Sequence, residues 1–451
     1  MRKNLLISIA MLIVSISTFA GGLLTNTNQH PAFLRMLSRG ATTEIDGALS
    51  NPAGLAFLSK DGFHVSLSIQ SAFQTRDIDA SFFTYNGFDG TKPTVSAQPY
   101  NKYYEGKAAA PVIPSVFAAY KNGDWTISGF FAVTGGGGKA SFDDGLPMFE
   151  SAAMAGIFQK SLKGVAQGGP IMTPDKYSIL SAMDGRQYIY SVQLGLTYKI
   201  NEWLSAFAGG RMNYFTGGYE GFLTAKAGDT TLMHLALDCD QTGWGLTPVI
   251  GVDMKWNKLN FGAKYEFMTN MNIENKTNNL DYEPEAEGLV GPYKDGVNTP
   301  NDIPSMLSVA VAYEFLPVLR ASVEYHFFDD KSAGMANGKQ KFLTKGTNEY
   351  LAGIEWDVTK HLTLSCGGQI TDYGLSDNFQ SDTSFSCDSY TLGFGAKLNL
   401  TEKASLNVGY MWTTYDDYTK SSQNYNGTGL SGTNVYSRTN KVFGLSLDYK
   451  F

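Results

Sequence analysis

The chain has 451 residues, with 35 basic against 42 acidic side chains and a formal charge of −7. That balance argues against nucleic acid as a partner, and three cysteines are too few for a disulfide scaffold. Aromatic residues make up 13% of the chain, yet no run of about 18 apolar residues follows Ala20, so no helical membrane span is expected there.

The chain opens with Arg2 and Lys3, an apolar run from Leu5 to Ile16, and Ser17-Thr18-Phe19-Ala20 ahead of two glycines. A cationic start, a short apolar stretch and a small residue describe a secretory signal over residues 1–20, cut after Ala20. No cysteine lies near that cut, so no lipid anchor is expected. Losing Arg2 and Lys3 takes the formal charge from −7 to −9.

Residues 21–61 carry no strand pattern. At their centre is a tight segment containing Asn51, Pro52, Ala53 and Gly54. Pro52 fixes its own φ and pushes Asn51 out of the α region, and Gly54 permits a φ that other residues avoid. Alone it reads as a surface turn. Ahead of a long series of strands, it can instead lie inside whatever those strands enclose.

From Phe63 onward, alternation over about ten residues is broken repeatedly by a short polar turn. Six such turns stand out: residues 121–124, 200–202, 256–258, 314–317, 358–361 and 400–403. The first contains Asn122-Gly123, a strong hairpin signal. With two strands flanking each turn, one near Phe63–Ala72 and one near Tyr436–Phe451, the total is fourteen. Longer polar connections fall at about 73–113, 134–186, 216–242, 270–303, 329–346, 374–384 and 417–435. Short turns at one end and long loops at the other are the asymmetry of transmembrane barrels.

The faces separate cleanly. In 188–200, Tyr190, Val192, Leu194, Leu196 and Tyr198 alternate with Ser191, Gln193, Gly195, Thr197 and Lys199. Lys and Glu on the inner face of a soluble sandwich would be buried without water, whereas a wet or plugged lumen tolerates them. Trp125, Trp203, Trp244, Trp256, Trp356 and Trp412 fall near strand ends, where aromatic girdles belong. Cys366 keeps step with the outward Leu362 and Leu364, while Cys387 is out of step with Tyr390, Leu392 and Phe394. The two therefore face opposite ways, and no disulfide is expected. The fold class is all-β: a transmembrane antiparallel β-barrel of about 14 strands over residues 62–451, with residues 21–61 as a hatch in its lumen.

The last strand alternates Phe443, Leu445, Leu447, Tyr449 and Phe451. It resembles the carboxy-terminal signature by which the barrel-assembly machinery of bacteria recognises its clients. Fourteen strands, a forty-residue segment before them and Asn51-Pro52-Ala53 within it together resemble the FadL/TodX family of outer-membrane transporters of Gram-negative bacteria. The resemblance implies passive uptake of hydrophobic small molecules, long-chain fatty acids or related hydrocarbons, by a monomer in the outer membrane. It also implies a kink in the third strand through which substrate slides laterally into lipid. Here the third strand, Asp124 to Val133, runs into Gly135, Gly136, Gly137 and Gly138, which read either as that opening or as the start of a loop. The family's outer groove is assigned to later loops, here about 216–242 and 270–303.

Pro147 starts a helix candidate with Phe149, Met154, Ile157 and Phe158 on one face. That face is either a greasy landing surface or a seat on the protein's own barrel. Parity points Arg211, Lys264, Arg320 and Lys397 into the lumen alongside several carboxylates. Arg211, Lys264 and Arg320 are candidates for holding a ligand carboxylate, unless they pair with the acids beside them. None of the five histidines lies in a Gly-x-Ser-x-Gly or His-Glu-x-x-His context. No enzyme, no catalytic residue, no metal and no cofactor is expected. A general porin, a structural or adhesive barrel and a haem-binding relative are the alternatives, and the segment before the first strand argues against an open pore.

Overall fold

The computed structural model describes residue 23 and residues 28–165 and 168–451; the predicted signal segment lies outside the described residues. Fourteen antiparallel strands close into a barrel. They are β1 (Gly62–Phe82), β2 (Gly106–Asn122), β3 (Trp125–Phe142), β4 (Ser178–Lys199), β5 (Leu204–Ala227), β6 (Thr230–Trp256) and β7 (Leu259–Glu266). The second half comprises β8 (Met306–Leu316), β9 (Leu319–Phe328), β10 (Thr347–Thr359), β11 (Leu362–Asp372), β12 (Ser389–Asn399), β13 (Ala404–Tyr415) and β14 (Gly432–Lys450). Each strand pairs with the next, and β1 pairs with β14 from His64↔Lys450 to Phe82↔Gly432, leaving no free edge. The six short turns join adjacent strands, as at Asn122↔Trp125 and Leu259↔Trp256.

The barrel is inverted relative to a soluble protein. On β4, Val192 and Leu194 are 54% and 65% exposed, while Ser191, Gln193 and Thr197 are buried inside. This is the order that lipid outside and a polar lumen impose. Exposed Trp125, Trp203, Trp256 and Trp356 ring the short-turn end, and Trp244 and Trp412 lie toward the other.

The strands run farther than their apolar alternation. Stretches expected as loops, 73–82, 134–142, 178–186 and 216–242, belong largely to β1, β3, β4, β5 and β6. β6 has 27 residues, roughly 90 Å along its own axis at 3.3 Å per residue, far beyond a ~25 Å apolar band even when tilted. Above the bilayer both faces can be polar, so the ladder continues where the hydrophobic signal fades.

The raised wall carries a cap. The helix Pro147–Val165 lies across the mouth. Phe149, Met154, Ile157 and Phe158 are all buried, so of the two readings of this face the structure has the seat on the protein's own barrel and not an outer landing surface. The first three pack into a cluster with Met183, Tyr219 and Leu235, and Phe158 stacks on Tyr85 at 4.7 Å. The tall strands offer an apolar inner wall at that height, so burial there recovers the hydrophobic free energy that exposure would forfeit.

The hatch fills the lumen below. It contains α1 (Pro31–Arg35), α2 (Gly47–Ser50) and a 3-10 turn, Pro52–Phe57. Inward glycines make its seat: a methyl on Gly393 would lie 2.3 Å from the Leu34 carbonyl oxygen, and one on Gly262 would lie 2.0 Å from that of Gly40. Arg35 pairs with Glu355, and the Glu324 carboxylate accepts from the backbone N–H of Arg39 at 2.7 Å and of Gly40 at 2.8 Å.

Candidate functional site

Asn51 is the junction between hatch and wall. It caps the Pro52 turn with φ −147° and ψ 72°, outside the α region that a following proline disfavours. Its Nδ2 donates to Asp253 Oδ2 of β6 at 2.5 Å and to the Thr42 carbonyl at 3.0 Å. Pro52 and Ala53 offer their carbonyls to Thr197 Oγ1 and Ser205 Oγ, each at 2.8 Å. Gly54 is needed for space rather than for an unusual φ: a methyl there would lie 2.4 Å from both Asn51 Nδ2 and the Thr42 oxygen.

Arg211, Lys264 and Arg320 do point inward, and each already has carboxylate company. Arg211 makes a bidentate pair with Glu266 at 2.8 Å. Lys264 Nζ bonds Glu266 at 2.8 Å and the Leu49 carbonyl at 2.7 Å. Arg320 bridges Glu355 at 2.7 Å and Asp357 at 2.8 Å. His326 lies between Glu324 (2.6 Å) and Glu349 (2.9 Å). These ions balance one another and the hatch, leaving none of the three cations unengaged for a ligand.

The wall is interrupted between β2 and β3. Their pairing runs to Val116↔Phe131, stops, and resumes at Ala109↔Lys139. Residues 110–115 and 132–138 face each other across that break, and Pro111 and Pro114 bring no N–H to it. On its other side β3 stays attached to β4 but carries extra chain. Val133↔Tyr190 and Gly138↔Gln187 are five steps apart on β3 and three on β4, an excess of two residues. Gly136 and Gly138 take φ of +92° and +85°, in the left-handed region glycine tolerates. A methyl on Gly136 would lie 2.1 Å from the Gln187 carbonyl oxygen. Val112, Val116 and Phe131 point outward around the break, so its rim belongs to the lipid-facing surface. A missing stretch of ladder in lipid costs several kcal/mol, which makes it a feature to explain.

Two cavities reach the break from inside. One, about 110 Å3, lies between hatch and wall and is lined by Phe33, Leu49, Thr134, Met306 and His326. The other, about 70 Å3, lies under the cap and is lined by Arg76, Gly138, Phe142, Leu146 and Met183. Thr134 and Gly138 belong to the unpaired stretch, so each cavity touches it. Sequence reading missed the second cavity because Arg76 and Phe142 fell in stretches expected as loops.

No family model matches the sequence, and no curated protein does. Solved structures do. A Pseudomonas aeruginosa FadL homologue shares 14% identity with a TM-score of 0.68, over 96% of this chain and 100% of that one. The Ralstonia pickettii toluene transporter TbuX matches at 13% and 0.55, over 94% and 100%. The Pseudomonas putida toluene transporter TodX matches at 13% and 0.52, over 91% and 95%. The fold is that of the FadL and TodX channels. At these identities the likeness is one of architecture, over 91% to 96% of this chain.

Proposed function

We propose that the protein is an outer-membrane channel for passive uptake of hydrophobic small molecules, long-chain fatty acids or related hydrocarbons being the class, and that they leave sideways through the break between β2 and β3. The observation that carries this reading is the interrupted ladder at Gly135, Gly136, Gly137 and Gly138, reached by cavities from both the cap and the hatch. Straight below, the Asn51 segment is hydrogen-bonded to the wall and blocks the axis. An apolar molecule gains little from an aqueous axial route and loses little on sliding from a protein cavity into lipid. The solved channels of this fold include a FadL homologue and toluene transporters, which is consistent with such cargo.

The test is native mass spectrometry of the detergent-purified barrel before and after incubation with oleate and with an alkylbenzene, beside conductance in planar bilayers. Retained or acquired apolar ligand with blocked conductance is the expected result. No ligand and a steady ion current would replace the transporter with a porin.

A further inference from the structure

The lumen cations named above are balanced, but four cations under the cap are not. Arg76 (β1), Arg438 (β14), Lys339 (the 3-10 stretch Ala336–Phe342) and Lys420 (the short strand Tyr418–Ser422) converge on the loop between β11 and β12. Their hydrogen bonds all go to neutral oxygens. Arg76 Nη2 and Arg438 Nη1 both donate to the Phe385 carbonyl, each at a long 3.4 Å. Lys339 Nζ donates to the Ser384 carbonyl at 3.0 Å and to Ser381 Oγ at 3.3 Å, and Lys420 Nζ donates to the Gln380 carbonyl at 2.7 Å. Aromatic faces complete the surroundings, with Arg76 5.0 Å from the Phe385 ring, Arg438 4.8 Å from Tyr415 and Lys339 4.5 Å from Phe379.

Among the described residues, three buried polar atoms in the same place have no partner: Arg438 Nε, Thr383 Oγ1 and Ser386 Oγ. All three can donate. Asp382, the carboxylate beside them, already accepts from Asn434 Nδ2, Tyr436 Oη and the Met148 N–H, each at 2.8 Å. Asp377, also near Lys420, accepts from Tyr418 Oη at 2.9 Å and from the Ser421 N–H at 3.4 Å. Half-buried cations favour anions, and two occupied carboxylates do not answer four of them. Two guanidiniums, two ammoniums and two unused hydroxyls suit an anion with three free oxygens better than a two-oxygen carboxylate. Arg76 and Thr383 also line the 70 Å3 cavity, whose remaining wall includes Phe142, Leu146, Met183 and Gly138. A charged pole thus adjoins a slot lined by Phe142, Leu146 and Met183 together with Gln74, Arg186 and Gln187, and that slot ends at the break in the wall.

We infer that the cluster of Arg76, Arg438, Lys339 and Lys420 is a head-group site for an amphiphile bearing a phosphate- or sulfate-type oxyanion, its tail entering the cavity that reaches Gly138 and running on through the break. The inference rests on the reading of the break as the exit, and it narrows the cargo from any apolar molecule to one with such a head.

The test is native mass spectrometry in neutral detergent with dodecyl phosphate, dodecyl sulfate, dodecanoate, dodecanol and inorganic phosphate, each alone. The phosphate and sulfate amphiphiles should bind at least ~10-fold more tightly than dodecanoate or dodecanol, the difference one added charge-assisted contact would make. Arg438→Gln and Lys339→Gln should each erase most of that preference while leaving dodecanol binding unchanged. Heat-modifiable gel mobility verifies that both variants are folded, and Lys339, lying in a loop, keeps the test open if the strand variant does not assemble. Equal binding of dodecanoate and dodecyl phosphate, or variants that keep the preference, would overturn the head-group site while leaving apolar transport standing. Inorganic phosphate binding as tightly as dodecyl phosphate would overturn the amphiphile in favour of a free-anion site. If no dodecyl compound binds at all, the transport reading itself falls.

Discussion

Replacing Asn51 with alanine tests whether the hatch is held by the contact that defines its motif. Asp253 is fully buried; its Oδ2 accepts from Asn51 at 2.5 Å and from Asn260 at 3.1 Å, and its Oδ1 has no partner. Alanine removes one hydrogen bond to a buried carboxylate, about 1.5–3 kcal/mol, and strips the Thr42 carbonyl of a donor, a further ~1–3 kcal/mol. A combined loss of about 4 kcal/mol would raise the undocked population of the hatch by roughly three orders of magnitude. The two bonds lost join the hatch to the wall and to itself, and none of the strand-to-strand pairing depends on them, so the variant should assemble. Hydrogen exchange followed by mass spectrometry should show protection collapsing in residues 40–56 and holding in β4 and β12, with apolar uptake impaired. Asp253→Asn added to Asn51→Ala removes the stranded charge and should restore more than half of the protection. Unchanged exchange in the single variant, or no recovery in the double, would refute the reasoning. Failure to assemble would make the motif a folding element instead.

Three further outcomes follow from the same geometry. Leu194→Arg, on the exposed face of β4, should cost about 2–4 kcal/mol in refolding from urea into lipid, because that face meets hydrocarbon rather than water; a neutral result would argue against a bilayer there. Glu355→Gln should destabilise the barrel by about 3–5 kcal/mol in the same assay, since Arg35 and Arg320 both bond it from buried or half-buried positions. Burial beside Lys420 and Arg76 holds the Lys339 ammonium down to about 7. Because the folded value lies below the usual one, its charge is penalised below pH ~7, and cap stability rises with pH from there toward ~10. An anion reverses that penalty, so dodecyl sulfate should bind more tightly as the pH falls from about 8 to about 6, and Lys339→Gln should flatten that dependence.

The barrel was legible because lipid writes a strict rule: Val192, Leu194 and Leu196 must face out, and Ser191, Gln193 and Thr197 may face in. Asn122-Gly123 and its counterparts mark the tight end for the same reason of local geometry. Legibility ends where the rule ends. Above the bilayer, residues 216–242 obey no single solvent, so a tall hairpin reads as a loop. The parity that turns Lys264 inward turns Glu266 inward two residues on, but Arg211 joins that pair only once β5, β6 and β7 are curved into one wall. Gly54 looked like a turn glycine, and it proves to be a close-approach glycine because Thr42 folds back over it. Arg76 was invisible as a site residue because its companions come from β14 and two loops more than 250 residues away.

The measurement that bears most directly on lateral exit is deletion of Gly136 and Gly137. The excess of β3 over β4 is two residues, so the deletion evens that ladder, keeps every side chain on its own face and draws β3 taut, leaving a one-residue mismatch with β2 in place of the break. Uptake of labelled oleate by cells carrying the deleted barrel, at matched surface level and with normal heat-modifiability, should fall to that of cells without the protein. Uptake that persists at the parental rate would mean that cargo leaves by another path, and the break between β2 and β3 would no longer account for transport.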